Sequence, residues 1–259
     1  MKSKISFMSK VSETLLIPLY IRAVESRKKN PLLRDSLAEK LIERIDYDFH
    51  SLDKHLTSGQ CCILRAKYND LNIQHSADIF GSTIVINVGC GLDSRYARIP
   101  STNITFYELD LPDVISLRHK LIPEEDTNKH ITKSMFDTSW LDELRQKHKG
   151  CHFIFVFEGV LMYFDKTQVS FILNNIAERF PKAEIFFDMC NKESLKTNFG
   201  LLRNFGSRFK MGLNNGHEIE FMVRKLKLED QRQYLNYVPI GIQHMDNWSL
   251  LKFKVADYA

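Results

Sequence analysis

The residues best suited to chemistry lie between Thr83 and Arg98, in the run TIVINVGCGLDSRYAR. A β-branched apolar stretch, Thr83 to Val88, meets Gly89-Cys90-Gly91 and then Asp93-Ser94, a helix-start signal. Glycines after a strand let the backbone turn sharply and let a ligand approach with no Cβ in the way. The helix that follows offers free N–H groups and a partial positive charge. A second apolar run closes on Tyr107-Glu108-Leu109-Asp110. Its two carboxylates stand two positions apart, so both face one side of an extended chain, where they can accept the hydroxyls of a ribose. Strand, glycine turn, helix, strand, acid is the layout of a site for a nucleotide-type cofactor. A third apolar run, Phe153 to Phe157, leads into Glu158-Gly159. A carboxylate there needs a hydrogen-bonding partner, and at the carboxyl end of a central strand it faces the ligand crevice of an open α/β sheet.

Each signal has a plainer reading beside it. The glycine pair serves a structural turn equally well, Glu108 and Asp110 fit a solvated strand end or a helix cap, and Glu158 fits a capped turn. The loop is not G-x-G-x-x-G, because Ser94 stands where a dinucleotide fold places its third glycine for close helix–strand packing. That argues against a nicotinamide-dependent oxidoreductase. The G-x-x-x-x-G-K-[ST] phosphate cradle is also missing.

The elements that must hold these residues follow from periodicity. Residues 11–29 and 35–45 read as helices, with Asp35 as an N-cap and Pro18 expected to kink or split the first. A third helical stretch, and room for a fourth, lies within His50–Asn72, where Leu52, Leu56, Ile63, Leu64 and Tyr68 recur near helical spacing. From Ser82 the pattern alternates. Strands are expected at Thr83–Val88, Ile104–Leu109, His152–Phe157 and Glu184–Met189, with helices at Leu92–Arg98, Val114–Leu121, Trp140–Lys147 and Lys166–Phe180. Such alternation predicts a parallel sheet with right-handed crossovers. After Cys190 the signal weakens; Asn214-Asn215-Gly216 reads as a turn, and Leu226–Leu235 and Leu250–Tyr258 are late strand candidates.

Composition sets bounds and decides little. With 259 residues, 44% hydrophobic and 26% charged, the chain has the profile of a globular α/β protein. A net charge of +4 suits an anionic small ligand as well as RNA, but there is no dense Lys/Arg stripe with interleaved aromatics, so nucleic acid is not the expected partner. No apolar run approaches the roughly 20 residues of a membrane span, and no signal-peptide core follows the basic MKSKISFMSK. The five cysteines (Cys61, Cys62, Cys90, Cys151 and Cys190) form no C-x-x-C pair and no zinc spacing. Reduced thiols, no metal and a cytoplasmic setting are the expectation.

Taken in order, VINVGCGLDSRYARI, FYELDLPDVISLRHKLI and VFEGVLMYF resemble the motifs of the leucine carboxyl methyltransferase family, whose members use S-adenosylmethionine. IRAVESRKKNPLLRDSLAEKL resembles the family's opening pattern, so the likeness covers roughly residues 14–190. The family includes protein-phosphatase C-terminal methyltransferases and polyketide-synthesis O-methyltransferases. The resemblance implies a Rossmann-like class I methyltransferase sheet, mostly parallel and about seven-stranded. An N-terminal helical cap over residues 1–80 would cover the substrate pocket, and residues 81–259 would form the S-adenosylmethionine-binding part.

By the same resemblance, Gly89, Cys90 and Gly91 pass under the methionine part of the cofactor. Asp110 holds the ribose hydroxyls with Glu108 beside it, and Arg65 pairs with the cofactor carboxylate. Glu158, with Gly159, contacts the amino group or orders the loop around it. Arg22, Arg95 and Tyr163 are weaker candidates, Arg95 as a brace for the loop. One departure stands out. Where the family carries an Asp-Leu-Arg type segment after the third strand, this chain reads Lys133-Ser134-Met135-Phe136-Asp137-Thr138-Ser139-Trp140. Ser134 and Met135 are expected to line the adenine site and Asp137 to cap the next helix. The part after Cys190 looks short, so the last strand is expected to be abbreviated.

The implied activity is transfer of a methyl group to a carboxylate or hydroxyl of a small molecule. A protein C-terminal carboxylate as acceptor, or cofactor binding without catalysis, stays open beside it. An ionised carboxylate needs no strong general base, whereas a hydroxyl is helped by one. His217 and His244 read as surface or satisfied histidines rather than bases, and Phe199, Phe205 and Phe209 as core more than pocket wall.

Overall fold

Alternate residues of each apolar run must face opposite ways, and runs as apolar as these need cover on both faces. The computed structural model describes residues 3–4, 14–56, 59–99, 101–197, 208–234 and 248–257, and in it the expected strands form with both faces covered. They are β1 (Thr83–Val88), β2 (Ile104–Asp110), β4 (His152–Phe157) and β5 (Glu184–Cys190), joined by β3 (Asn128–Thr132), β6 (Leu226–Gln233) and β7 (Trp248–Val255). The sheet runs β3-β2-β1-β4-β5-β7-β6. All pairings are parallel except those of β7, which is antiparallel to both β5 and β6.

One face, with Ile84, Ile86, Phe153 and Phe155, packs against Trp140 and Leu144 of α6 (Ser139–Lys147) and Ile172 and Ile176 of α7 (Lys166–Arg179). A capping box between Asp165 and Gln168 starts α7. The other face, with Val85, Phe106, Ile154 and Val156, takes Ile73 and Ala77 of α3 (Gln60–Phe80). Two shorter helices, α4 (Arg95–Arg98) and α5 (Pro112–Leu121), follow β1 and β2.

Ahead of the sheet lie α1 (Leu16–Ser26), α2 (Ser36–Arg44) and a 3-10 turn at Phe49–His55. Asp35 caps α2 by accepting from the Ala38 N–H. Leu16, Leu19, Ala23, Leu41 and Ile63 form a second core that also takes in Leu92 of the glycine loop and Leu121 and Ile122 at the end of α5. The helical segment is therefore packed onto the same end of the sheet as the loop.

Several expectations need correction. Pro18 neither kinks nor splits α1: it sits in the first turn, where its missing N–H has no intrahelical partner to lose. The helix expected from Leu92 begins at Arg95, because Cys90 to Ser94 are spent on a turn in which the Asp93 N–H donates to the Cys90 carbonyl at 2.9 Å. β3 escapes the apolar pattern because an edge strand of sequence NKHIT buries little. The last strand is not abbreviated: β6 and β7 have 8 residues each. Their polar–apolar alternation, as in LKLEDQRQ, is the mark of strands near a sheet edge. Short helices at Lys192–Thr197 and His217–Met222, the second following the expected Asn-Asn-Gly turn, a 3-10 turn at Leu161–Tyr163 and a two-residue parallel pairing of Ser3–Lys4 with Ile45–Asp46 complete the described elements. Among the described residues no helix is long and apolar enough to cross a membrane.

Candidate functional site

The carboxyl ends of the parallel strands bring most of the singled-out residues to one edge. Gly89 and Gly91 adopt φ of 68° and 51°, the left-handed region that favours glycine. The loop is tied to β2 by the Gly89 and Cys90 N–H groups, which donate to the Leu109 carbonyl at 2.8 and 3.2 Å. Space is also short: a Cβ on Gly89 would lie 2.6 Å from Val160 Cγ2.

Asp110 ends β2, and its Oδ2 accepts the Gly91 N–H at 2.9 Å while Oδ1 accepts the Leu111 N–H at 2.8 Å. Burial pushes its carboxyl up, and these two N–H donors oppose the shift. Glu108 shares a face with Asp110 and lies deeper. It is fully buried, 3.3 Å from Arg118 Nη2, and accepts from Asn87 Nδ2 at 3.0 Å. Arg118 in turn donates to the carbonyls of Gly91 at 3.2 Å and Asp93 at 2.6 Å. Asp110 thus meets the loop at its amide, and Glu108 acts on it through Arg118.

Glu158 follows β4 and is nine-tenths buried. It accepts from Arg65 Nε at 3.1 Å, from Asn69 Nδ2 at 3.0 Å and from Arg95 Nη2. Burial would raise its carboxyl; Arg95 and Arg65 together hold it below the usual range. Gly159 has φ of 71°, and a Cβ there would sit 2.8 Å from Arg65 Nη1. Its N–H donates to Asp188 Oδ1 at 2.6 Å, and Arg65 Nη1 donates to Asp188 Oδ2 at 3.3 Å. Two of the three Arg65 nitrogens are held by carboxylates, leaving Nη2 with no hydrogen-bond partner among the described residues.

Between the two groups runs a buried ion-pair network. Arg95, with no exposed surface, joins Asn87 (3.2 Å), Asp93 (3.0 Å), Asp70 (2.7 Å) and Glu158. Arg98 joins Asp70, Asp93 and Asp35 at 2.7, 2.9 and 3.0 Å. Arg22 of α1 reaches Asp35 and the Leu92 carbonyl, both at 2.9 Å. Arg95 and Arg98 each meet more than one carboxylate, and Arg22 adds a backbone carbonyl to its single carboxylate, so the buried charges are all paired. Arg95 thereby ties Asp93 of the loop to Asp70 of α3 and to Glu158 after β4.

Ser134 and Met135 follow β3. Ser134 is half-buried and its hydroxyl accepts from the Phe136 N–H at 3.3 Å. Met135 packs into the main core, where its carbonyl accepts from Trp140 Nε1 at 3.4 Å. Asp137 accepts from the N–H and hydroxyl of Ser139, at 3.1 and 2.6 Å, but it stands one position ahead of the N-cap of α6, which is Thr138 and makes no side-chain cap hydrogen bond. His217 is exposed and paired with Glu220 at 2.9 Å, while His244, Phe199 and Phe205 lie outside the described residues. Phe209 packs between Tyr163 and Trp248, with ring centroids 5.3 and 5.4 Å away.

Asn87, Asn69, Asp70, Arg118, Asp188 and Tyr234 were not singled out in the sequence. Asn87 and Asp188 did leave a signal, a polar residue inside the apolar runs TIVINV and EIFFDMC. The others lie on helices or at a strand end in patterns typical of solvated surface.

A model of the leucine carboxyl methyltransferase family matches residues 16–177. The chain is 31% identical over 230 residues to the tetracenomycin polyketide synthesis O-methyltransferase TcmP of Streptomyces glaucescens, covering 87% of this chain and 84% of that protein. It is 26% identical over 263 residues to the S-adenosyl-L-methionine-dependent methyltransferase dpfgK of Gibberella zeae, covering 93% and 88%. Among solved structures, magnesium protoporphyrin IX methyltransferase (ChlM) of Synechocystis PCC 6803 with bound S-adenosylhomocysteine superposes with a TM-score of 0.53 at 10% identity, over 85% of this chain and 93% of that one. At that identity the likeness speaks for the fold. Motifs, strand order and family match agree: the chain belongs to the leucine carboxyl methyltransferase family of S-adenosylmethionine-dependent methyltransferases.

Proposed function

We propose that this protein transfers the methyl group of S-adenosylmethionine to a carboxylate or hydroxyl oxygen of a small-molecule acceptor, with an ionised carboxylate favoured. The observation that carries the reading is the charge pattern at the carboxyl edge of the sheet. Asp110 is tied to the loop through the Gly91 N–H, and Arg65 keeps one nitrogen unpaired beside Glu158. The cofactor bears two ribose hydroxyls, a carboxylate and an ammonium. Each Asp110 oxygen accepts one backbone N–H and has a lone pair left for a hydroxyl. Arg65 Nη2 suits the carboxylate and Glu158 the ammonium, both as charge-assisted contacts. Gly89, Cys90 and Gly91 form the floor beneath, and Gly159 gives Arg65 the room a Cβ would take. Ser134 and Met135 would border the adenine.

The bound cofactor supplies the electrophilic methyl, so the work of the chain is to align donor and acceptor. Among the described residues, no histidine hydrogen-bonds Asp110, Glu158, Arg65 or Asp188. The family's name, leucine carboxyl methyltransferase, supports a carboxylate acceptor, which is ionised near neutral pH and needs no strong base. The name of TcmP, a polyketide-synthesis O-methyltransferase, supports oxygen as the acceptor atom and a small molecule as its bearer. Residues 1–80 would cover the acceptor: a Cβ on Gly91 would lie 3.5 Å from Leu15 Cβ, so the start of α1 already reaches the loop.

Calorimetry with S-adenosylhomocysteine tests the cofactor site, with Arg65→Ala and Asp110→Asn expected to weaken binding. Turnover with a panel of carboxylic acids and phenols, followed from pH 6 to 9, tests the acceptor. A flat profile with carboxylic acids supports the reading. Turnover confined to phenols and rising with pH refutes the preference for a carboxylate.

A further inference from the structure

Asp188 lies on the inner part of the site, and its partners come from three distant stretches of chain. It is 1% exposed at the carboxyl end of β5. Its Oδ1 accepts the Gly159 N–H at 2.6 Å, and Oδ2 accepts both Arg65 Nη1 at 3.3 Å and the Tyr234 hydroxyl at 3.1 Å. Tyr234 itself is fully buried just past β6, stacked on Trp248 at 6.1 Å between centroids. It packs with Leu64 and Tyr68 of α3 and Leu250 of β7. One turn along α3 from Arg65, the Tyr68 hydroxyl donates to Asp230 of β6 at 3.0 Å. The helix that carries Arg65 is therefore fastened to the sheet at two places, by Arg65 on Asp188 of β5 and by the Tyr68 hydroxyl on Asp230 of β6.

We infer that Asp188 and Tyr234 are positioning residues for cofactor recognition, Asp188 orienting the Arg65 guanidinium and Tyr234 holding Asp188 ionised and in place. The inference rests on the reading of Arg65 as the partner of the cofactor carboxylate. An arginine in a polar site has several rotamers, and two carboxylates gripping Nε and Nη1 select the one that presents Nη2. Without Asp188, Arg65 keeps only its Nε contact to Glu158 and can swing. The same carboxylate anchors the Gly159 N–H, so the turn carrying Glu158 and the guanidinium are set by one group. Tyr234 supplies the only hydroxyl donor among the described partners of Asp188.

The groups facing Asp188, Arg65 and Tyr234 are Cys61 and Cys62 of α3, Glu158 and Tyr163 after β4, and Cys190 of the strand that carries Asp188. Burial raises the Asp188 carboxyl, and Arg65, the Gly159 N–H and the Tyr234 hydroxyl act against that rise. Burial also raises the Tyr234 hydroxyl, which stays protonated and donating across neutral pH. Removing that hydroxyl lets the Asp188 carboxyl rise further. Protonated Asp188 releases Arg65, so affinity for the cofactor falls as pH falls, and in Tyr234→Phe the fall begins at a higher pH.

The test is calorimetric titration with S-adenosylhomocysteine from pH 5 to 8 on wild type, Tyr234→Phe, Asp188→Asn and Arg65→Ala, with the KM for S-adenosylmethionine and kcat from cofactor turnover. Tyr234→Phe is expected to raise KM about fivefold with kcat within about twofold, and to move the acid limb of binding to higher pH. Asp188→Asn, which cannot ionise, should bind more weakly than Tyr234→Phe and lose the part of the acid limb that belongs to residue 188. A purely structural role predicts a lower Tm for Tyr234→Phe with wild-type KM and pH profile in the fraction that is folded, and that result overturns the inference. Arg65→Ala separates the two readings. If it binds as wild type, the reading of Arg65 falls; if it fails to bind while Tyr234→Phe keeps the wild-type profile, only the positioning role falls.

Discussion

Gly89→Ala perturbs the site at its tightest point. At φ of 68° an alanine pays the left-handed penalty, about 1–2 kcal/mol. The new methyl would also sit 2.6 Å from Val160 Cγ2, well inside contact distance. Neither side yields easily: the loop is fixed by the Leu109 carbonyl, and Val160 follows the Gly159 turn held by Asp188. Overpacking of this kind costs about 1–3 kcal/mol. The sum, about 2–5 kcal/mol, is a large part of the roughly 5–15 kcal/mol stability of a domain. Val160→Ala removes the opposing methyl and leaves the backbone strain. In a double-mutant cycle followed by urea unfolding, Gly89→Ala should therefore cost at least about 1 kcal/mol less in the Val160→Ala background than in wild type. Calorimetry on the same four proteins should show weaker S-adenosylhomocysteine binding for Gly89→Ala, partly restored in the double variant. Additive costs would refute the clash, and a Gly89→Ala protein within about 0.5 kcal/mol of wild type would refute the strain as well.

Asp110→Asn keeps the shape of the side chain and removes its charge; S-adenosylhomocysteine affinity should fall about 10- to 100-fold in calorimetry, the range for a lost hydrogen bond to a charged group, and unchanged affinity would remove Asp110 from the site. Asp35→Ala strips Arg22 and Arg98 of a shared partner and α2 of its cap, so unfolding free energy should drop by about 3–5 kcal/mol in urea, whereas a loss under about 1 kcal/mol would mean the network tolerates a gap. At the start of β5, burial opposes ionisation of Glu184, but hydrogen bonds from His152, Lys252 and Ser76 bring its carboxyl down to about 2. A carboxyl lowered by folding stabilises above its unfolded pKa and loses that contribution as pH falls from the ordinary glutamate range toward 2. Glu184→Gln should flatten that part of the acid limb of stability, measured as the urea midpoint against pH; an acid limb of unchanged slope would contradict the assignment.

The four central strands were legible because each is apolar on both faces, a pattern only a covered sheet explains, and β1 and β4 keep the limits their residues predict. The edge strands were harder to read. β3 buries little, and β6 and β7 alternate polar with apolar residues, so neither length nor partner follows from local pattern. The same divide holds in the site. Gly89, Gly91, Asp110 and Glu158 sit directly at strand ends, where topology alone carries a residue to the crevice, so their spacing announced them. Asp188 and Tyr234 meet only because β7 runs antiparallel between β5 and β6, which brings the end of β6 to the end of β5.

By itself the sequence determined the glycine loop, the acid at the end of β2 and the carboxylate after β4, because a strand period and a turn requirement are local properties of the backbone. The tertiary structure alone decided how those charges are shared. Glu108 and Asp110 look equivalent two positions apart, yet one is buried against Arg118 and the other accepts the Gly91 N–H. Arg65, which a family resemblance picked out but no period in the sequence did, lies beside Glu158 because α3 packs on one face of the sheet through Ile73 and Ala77 and carries its earlier turns to the carboxyl end of β4. Burial and pairing depend on what distant chain segments bring to the same place, and no period in the sequence records that.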